Sequence, residues 1–481
     1  MHILHNINGG KLAHFYRVCE NISMDNDIIF YRNIYKRIKE WKHRSNGRTA
    51  LLIEGARRIG KSTIAEEFAK NEYRSYLLIN FADTVNSYTK DVQQVFNNID
   101  DFDSFFNNIQ VITGTKLYRR ESLIIFDEVQ KNPRVREMIK QLVADGRYDY
   151  IETGSLMSLK KNSKKIVIPS EEEKIEMYPM SFDEFLLAMS EELLLEEIFN
   201  SFNKLKPLDD VLHKKAYKLF RTYMAIGGMP QVVARFIETN SYEEADIEKR
   251  NIVALYNEDL EKISRKASSI TPKIIYDNLS SLYSNHSFEL ITSSFGKNTK
   301  LYTCLNNVDE LEKSKIVNVA YDINNIDSTL SLGFDSNGVK VYSGDTGLLI
   351  TKMFFETSFK DNMLYKSIIL DKLSINEGYL FENVVAQTLR SINYKLIYNT
   401  FYLENSNKLY SIDFLIKDGK KICPIEVKSS SYKSHVSFDY FCKKYSSLIN
   451  KGYIIYSKNL VIKDKVVYLP IYMTMCLCAD N

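Results

Sequence analysis

Gly55, Gly60, Lys61 and Ser62 stand at the spacing G-x-x-x-x-G-K-[ST], inside TALLIEGARRIGKSTIAEEFAK at residues 49–70. These residue types suit the cradling of a phosphate chain. Glycine lets the backbone fold tightly enough for the N–H groups of Gly55, Ala56, Arg57, Arg58, Ile59 and Gly60 to converge on anionic oxygens. A helix opening at Lys61 or Ser62 aims its positive end, with the Thr63 amide in its first turn, at the same anion. Lys61 would reach the β- and γ-phosphates, and the Ser62 hydroxyl would be a ligand for Mg²⁺. The motif lies between an apolar run and a helical run, the context it requires, so a chance glycine turn is the weaker reading.

A second set of residues suits hydrolysis. The apolar run Leu123-Ile124-Ile125-Phe126 ends in Asp127 and Glu128. Asp127 would hold Mg²⁺ through water, and Glu128 would polarise the attacking water as a general base. The next strand signal ends Glu152-Thr153-Gly154-Ser155. A Thr153 or Ser155 hydroxyl there would sense the γ-phosphate, although the same string is also an ordinary turn.

A third set lies near the C-terminus. Asp413 follows Ile412, and Glu426 and Lys428 flank Val427 in PIEVK. Side chains alternate along a strand, so Glu426 and Lys428 share one face. Asp413 and Glu426 could supply oxygen to Mg²⁺ or Mn²⁺, with Glu382 completing the set and Lys428 beside an attacked phosphate. E-x-K is a short, common string and suits a salt-bridged sheet face equally well. Pro424 suggests an exposed edge strand near a cleft.

The elements that must position these groups follow from periodicity. Ile29 to Trp41 reads as a lead-in helix with Ile34, Ile38 and Trp41 on one face. Strands are expected at Tyr76–Phe81, Leu123–Asp127, Tyr150–Thr153 and Ile175–Met180, with helices over Val92–Phe106 and Arg134–Ala144. Such alternation predicts a parallel sheet with helices on both faces and ligands at the strands' carboxyl ends. From Ser181 to about Lys262 the pattern is helical, opened by a capping box of Ser181 and Glu184. Thr271-Pro272 opens a helix, Thr299 caps another with Leu301, Leu305 and Val308 on one face, and Asn337-Gly338 signals a hairpin. Helices followed by a hairpin suggest a winged helix. Gly378 to Ile392 reads as a helix, followed by strands Tyr410–Ile416, Lys421–Ser429 and Gly452–Ser457.

The chain has 481 residues, and its 64 Lys and Arg nearly balance 61 Asp and Glu. Any nucleic-acid surface must therefore be local. Residues 395–481 are the basic exception, with 13 lysines against 7 acidic side chains. The six cysteines, Cys19, Cys304, Cys423, Cys442, Cys476 and Cys478, are scattered. They suit reduced thiols in a cytoplasm better than a zinc site or disulfide framework. No signal core and no run near the ~20 apolar residues of a membrane span is expected.

The loop GARRIGKS, the acid pair FDEVQ, the TGS turn and MYPMSFDEF together resemble the AAA-type ATPases of bacteria and archaea. The resemblance covers about Ile29 to Lys262 and implies ATP with Mg²⁺. It also implies that the turn YMAIGGMP places Gly228 and Pro230 near the adenine, where a plain helix break is the alternative. No arginine finger stands out among Arg119, Arg120, Arg134 and Arg136, so catalysis between subunits stays open. The order of Glu382, Asp413 and Glu426-x-Lys428 resembles the PD-(D/E)XK nuclease fold that ends many ATPases of this group, often as a domain of unknown function.

The expected α/β chain thus divides into an N-terminal segment (1–28), an ATPase core (29–180), a helical lid (181–262), a winged-helix segment (263–361) and a nuclease-like domain (362–481). The expected function is ATP hydrolysis coupled to a metal-dependent nuclease-like domain acting on DNA. The alternative is a nucleotide-dependent switch whose C-terminal domain does not cut and binds DNA or a partner protein. A homo-oligomer is a further expectation, and a membrane is not.

Overall fold

The computed structural model describes residues 28–477, apart from 84–86, 98–100, 155–169, 265–269, 285–287, 291–294, 296–299, 324–325, 327–329, 331–337, 373–377, 403–408 and 430–433. Helix α1 (Ile34–Ser45) buries Ile34, Ile38 and Trp41, the stripe read from the sequence. Strand β1 (Ala50–Gly55) leads into α2 (Lys61–Glu72), and β2 (Ser75–Asn80) follows. The expected single helix over Val92–Phe106 is two, α3 (Ser87–Asn97) and α4 (Phe102–Thr113). The break is chemical: the Asp101 carboxylate accepts the Ser104 N–H and caps a new helix.

Strands β3 (Ser122–Asp127) and β4 (Asp149–Gly154) flank α5 (Pro133–Asp145), and β5 (Glu172–Met177) closes the set. The last strand lies earlier than its expected start at Ile175. The sheet order is β2-β3-β4-β1-β5, and all four pairings are parallel. Leu51 and Ile53 enter one hydrophobic cluster, and Ala50 and Leu52 enter another. Apolar side chains on both faces are what a sheet covered by helices on both sides demands.

The lid comprises α6 (Phe182–Ala188), α7 (Glu192–Lys204), α8 (Asp210–Ile226), α9 (Pro230–Thr239) and α10 (Tyr242–Ile263). The capping box of Ser181 and Glu184 forms as expected. Beyond it, α11 (Pro272–Ser284) opens with the Thr271 hydroxyl accepting the Ile274 N–H. Helix α12 (Leu301–Lys313) begins after Lys300, while the proposed cap Thr299 lies outside the described residues. Its buried stripe is Cys304, Val308 and Leu311, so the expected face is shifted and Leu301 faces outward.

Strands β6 (Val317–Asp322) and β7 (Val339–Ser343) pair antiparallel. Asn337 of the proposed turn lies outside the described residues, and Gly338 precedes β7. This pair is not a free wing. After α13 (Thr346–Met353), α14 (Met363–Ile369) and α15 (Gly378–Ser391), strand β8 (Leu396–Tyr402) pairs in parallel with β6. With β9 (Leu409–Ile412) the four form one sheet, β7-β6-β8-β9. The sheet therefore crosses the boundary expected at residue 361.

The chain then leaves that sheet at Asp413. What reads as one strand over Tyr410–Ile416 is β9 followed by β10 (Phe414–Asp418) in a second sheet. That sheet runs β10-β11-β12-β14-β13, with β11 (Lys421–Val427), β12 (Gly452–Tyr456), β13 (Val461–Lys463) and β14 (Val466–Pro470). Helix α16 (Val436–Lys444) lies between β11 and β12 in the chain. The edge-strand expectation for Pro424 is corrected: β11 is paired on both sides, with β10 and β12. Proline is tolerated because the Ile422 and Lys428 N–H groups point to the β12 side, and the ladder on that side has a gap between Ile422 and Ile425.

Candidate nucleotide site and carboxylate cluster

The phosphate loop joins β1 to α2. Gly60 adopts φ +88°, a left-handed conformation that glycine takes without strain. It is the N-cap of α2 and offers no side-chain bond, so the first-turn amides have no capping partner. They line a cleft of about 530 Å³, whose walls include Arg58, Gly60, Lys61, Ser62 and Thr63. Arg57 also lines it, while Gly55, Ala56 and Ile59 of the same loop do not. The Lys61 amine donates to the Gly55 carbonyl at 3.1 Å and the Ala56 carbonyl at 2.7 Å. Burial pushes that amine down to about 8, against the pull of Glu128 and Asp127.

Asp127 and Glu128 line the same cleft. The Ser62 hydroxyl donates to Asp127 Oδ1 at 2.6 Å, and the Thr153 hydroxyl donates to the same oxygen. Glu128 has φ +53°, and its carboxylate accepts from Gln130 Nε2. Adjacent hydroxyl and carboxylate oxygens beside uncapped amides form a donor set that fits a triphosphate with Mg²⁺. Ser155 lies outside the described residues.

Pro230, at the start of α9, lines the cleft, and Gly228 does not. Gly228 instead permits a close approach, since a Cβ there would stand 2.2 Å from the Met180 carbonyl oxygen. Its N–H donates to Asp345 Oδ2 at 2.7 Å. Among the arginine candidates, Arg136 is buried in an ion triad with Glu152 and Glu172. Arg120 pairs with Asp149, the first residue of β4, at the sheet end opposite the cleft. Arg119 is its neighbour. Arg134 is exposed in the first turn of α5 and pairs with Glu137.

Several contacts of this region could not be read from the sequence. Arg32 is buried and donates to the Ile59 carbonyl at 2.7 Å, the Tyr178 carbonyl at 2.6 Å and the Glu184 carboxylate at 3.0 Å. Arg57 pairs with Asp259 of α10 at 3.0 Å, and the Tyr256 hydroxyl donates to the Arg57 carbonyl. Asp345 caps α13 through the Leu348 N–H at 2.9 Å. The string Ser-Gly-Asp-Thr-Gly carried that cap signal, but no spacing linked it to the lid.

The second set of residues also converges. Phe414 pairs with Ile425, which sets Asp413 beside Glu426. Glu382, on α15, raises the Asp413 carboxyl electrostatically, behind the larger effect of burial. Lys428 Nζ lies 2.8 Å from Glu426 Oε1. The unforeseen member is Lys340, on β7, 3.0 Å from Glu382 Oε1 and 3.8 Å from Asp413 Oδ1. Among the described residues no trio of His, Cys, Asp or Glu is arranged to hold a metal ion. As arranged, these residues do not fit a divalent cation, because a lysine amine already contacts two of the three carboxylates.

Residues 47–186 match the family of an AAA domain, 217–358 a domain of unknown function (DUF8612), and 377–473 another (DUF4143). None of the curated proteins matches the chain. Among solved structures, the Walker-type ATPase PABY2304 of Pyrococcus abyssi is similar at 14% identity over 68% of this chain and 97% of its own, with TM-score 0.40. Cdc6p of Pyrobaculum aerophilum is similar at 12% identity over 74% and 98%, with TM-score 0.27. The Aeropyrum pernix ORC1 protein, solved in complex with DNA, is similar at 11% identity over 72% and 97%, with TM-score 0.24. The five-stranded parallel sheet, the loop at Gly55–Ser62 and the AAA-domain match together identify the first part of the chain as a P-loop ATPase fold.

Proposed function

We propose that the protein hydrolyses ATP and passes its nucleotide state from the lid to the C-terminal domain. Ser62 and Asp127 would hold Mg²⁺, which supplies charge neutralisation on the phosphates. The loop amides and Lys61 hold the phosphate chain, Glu128 takes the proton of the attacking water, and Thr153 fixes Asp127.

The observation that carries the coupling is the double role of Asp345. One carboxylate accepts the Gly228 N–H from the lid and the Leu348 N–H from α13. Gln387 of α15 donates to that carboxylate and to the Tyr223 hydroxyl of α8. Gly228 is two residues from Pro230 in the cleft, and Gln387 is on the helix that carries Glu382. A lid that closes on ATP would therefore pull on α15 directly. Hydrogen exchange across Gly378–Ser391 tests this: it should differ between ATP-loaded Glu128→Gln and the ADP-loaded protein. Equal exchange in both states would remove the coupling.

A second reading, in which the C-terminal domain cuts DNA with a divalent ion, requires the Lys340 amine to leave Glu382 and Asp413 first, and draws on one observation. Glu426 Oε2 is buried without a hydrogen-bond partner. Incubation of plasmid and single-stranded DNA with Mg²⁺ or Mn²⁺ tests it, with Lys428→Ala as the control. DNA binding without cutting, strongly salt-dependent, would support a binding role.

A further inference from the structure

Lys340 is the second residue of β7, with its side chain 8% exposed. Its amine contacts Glu382 and Asp413 and lies over the Tyr398 ring, 5.1 Å from its centre. A buried ammonium is costly unless paired, and two carboxylates pair it. The carboxylates are anchored in turn. The Tyr342 hydroxyl donates to Glu382 Oε1 at 2.6 Å, and the Val427 N–H donates to Asp413 Oδ2 at 2.8 Å. Lys428 neutralises Glu426. The Lys340 backbone is held opposite Ala320 in the β6–β7 ladder and bridges to Glu289 on the other side, which fixes the point from which its side chain reaches the cluster.

From these contacts we infer that Lys340 is the resident cation of the carboxylate cluster. Its amine pairs with Glu382 and Asp413 and, with Lys428 on Glu426, leaves the three carboxylates at most one net negative charge between them, too little to draw a divalent ion. The native chain therefore takes up no Mg²⁺ or Mn²⁺ at Asp413 and Glu426, and this domain acts without metal. The inference is independent of ATP hydrolysis and concerns the C-terminal cluster alone.

Calorimetric titration of the full-length, EDTA-stripped protein with MnCl₂, without nucleotide, tests it. Comparison with Asp413→Asn isolates the cluster from any ion bound at Ser62 and Asp127. The wild type should show no binding that Asp413→Asn removes. Lys340→Met should gain Mn²⁺ affinity at least tenfold over wild type, and Lys340→Met/Asp413→Asn should lose that gain. Mn²⁺ should also raise the melting temperature of Lys340→Met by more than that of wild type, and Lys340→Met/Asp413→Asn should lose the excess. Lys340→Arg, which keeps the charge, should behave as wild type. Wild-type Mn²⁺ binding that depends on Asp413 would overturn the inference, as would a folded Lys340→Met that takes up no ion. Should Lys340→Met fail to fold, the wild-type titration against Asp413→Asn still decides.

Discussion

The nucleotide cleft and the C-terminal cluster are built from the same groups, lysine amines beside acidic side chains, and their charges are disposed in opposite ways. In the cleft, burial outweighs Glu128 and Asp127, and the Lys61 amine is pushed down. In the cluster, Glu382 and Asp413 outweigh burial, and the Lys340 amine is pushed up. The first lysine lies on an open cleft with uncapped helix amides beside it, and so lacks negative charge that phosphates would supply. The second has its negative charge already. The presence of a motif is therefore a poor guide to whether a site wants a ligand, and the balance of charge inside it is a better one.

The largest expected effects lie in the cleft. Glu128→Gln should keep ATP binding and lower turnover by about 10²- to 10⁴-fold, the usual worth of a general base. Turnover equal to wild type would remove Glu128 from that role. Lys61→Ala should lower turnover by about 10²- to 10³-fold, the typical cost of one charge-stabilising donor. ATP binding measured on the same variant shows whether the loss is in affinity or in chemistry.

The link between the two regions comes next. Asp345→Ala removes a helix cap and leaves the buried Gly228 N–H without its acceptor. The combined cost should be about 2–4 kcal/mol in urea unfolding. The variant should also lose the nucleotide-dependent difference in α15 exchange while keeping basal ATP hydrolysis. A normal exchange difference would break the comparison, because the two regions would then communicate by another route.

The cleft was legible because its parts are local. Gly55 to Ser62 is one contiguous loop, and Asp127 ends a strand that is buried throughout and apolar from Leu123 to Phe126. Alternating strand and helix signals were enough for the parallel sheet, whose β1, β3 and β4 are buried along their whole length. The cluster was legible only in part. Asp413, Glu426 and Lys428 lie on neighbouring strands, but Lys340 comes from a strand some seventy residues upstream, in a segment read as a winged helix. Nothing in Val-Lys-Val-Tyr shows that its lysine is buried, because the partners Glu382 and Asp413 meet it only through the sheet shared by β6 and β8. The same long-range pairing hid the crossing of the boundary at 361. Arg32 and Asp345 were missed for a related reason: each acts through contacts with residues more than a hundred positions away.

The smallest effect concerns the packing between the two regions, where Lys249 of α10 is fully buried. Its amine donates to the Ala225 carbonyl of α8 at 2.7 Å and to the Tyr365 hydroxyl of α14. The Gly347 carbonyl of α13 lies at 3.4 Å, Asp246 at 3.9 Å, and Arg250 adds an opposing charge from the same helix. Burial pushes this amine down to about 7, only partly offset by Asp246 and Asp345. In the unfolded chain a lysine titrates near 10.4. Between those values the unfolded state binds more protons than the folded one, so stability should rise with pH from about 7 toward 10. Below pH 7 both states are protonated and the dependence should vanish. The gain should be about 1–3 kcal/mol, less than the full shift implies, because the neighbouring charges respond as well. Urea midpoints for wild type and Lys249→Met, measured from pH 6 to 9.5, check this. The wild type should rise relative to the variant only above pH 7. Parallel curves would mean that Lys249 stays charged in the fold, joining Lys340 as a fully matched buried cation.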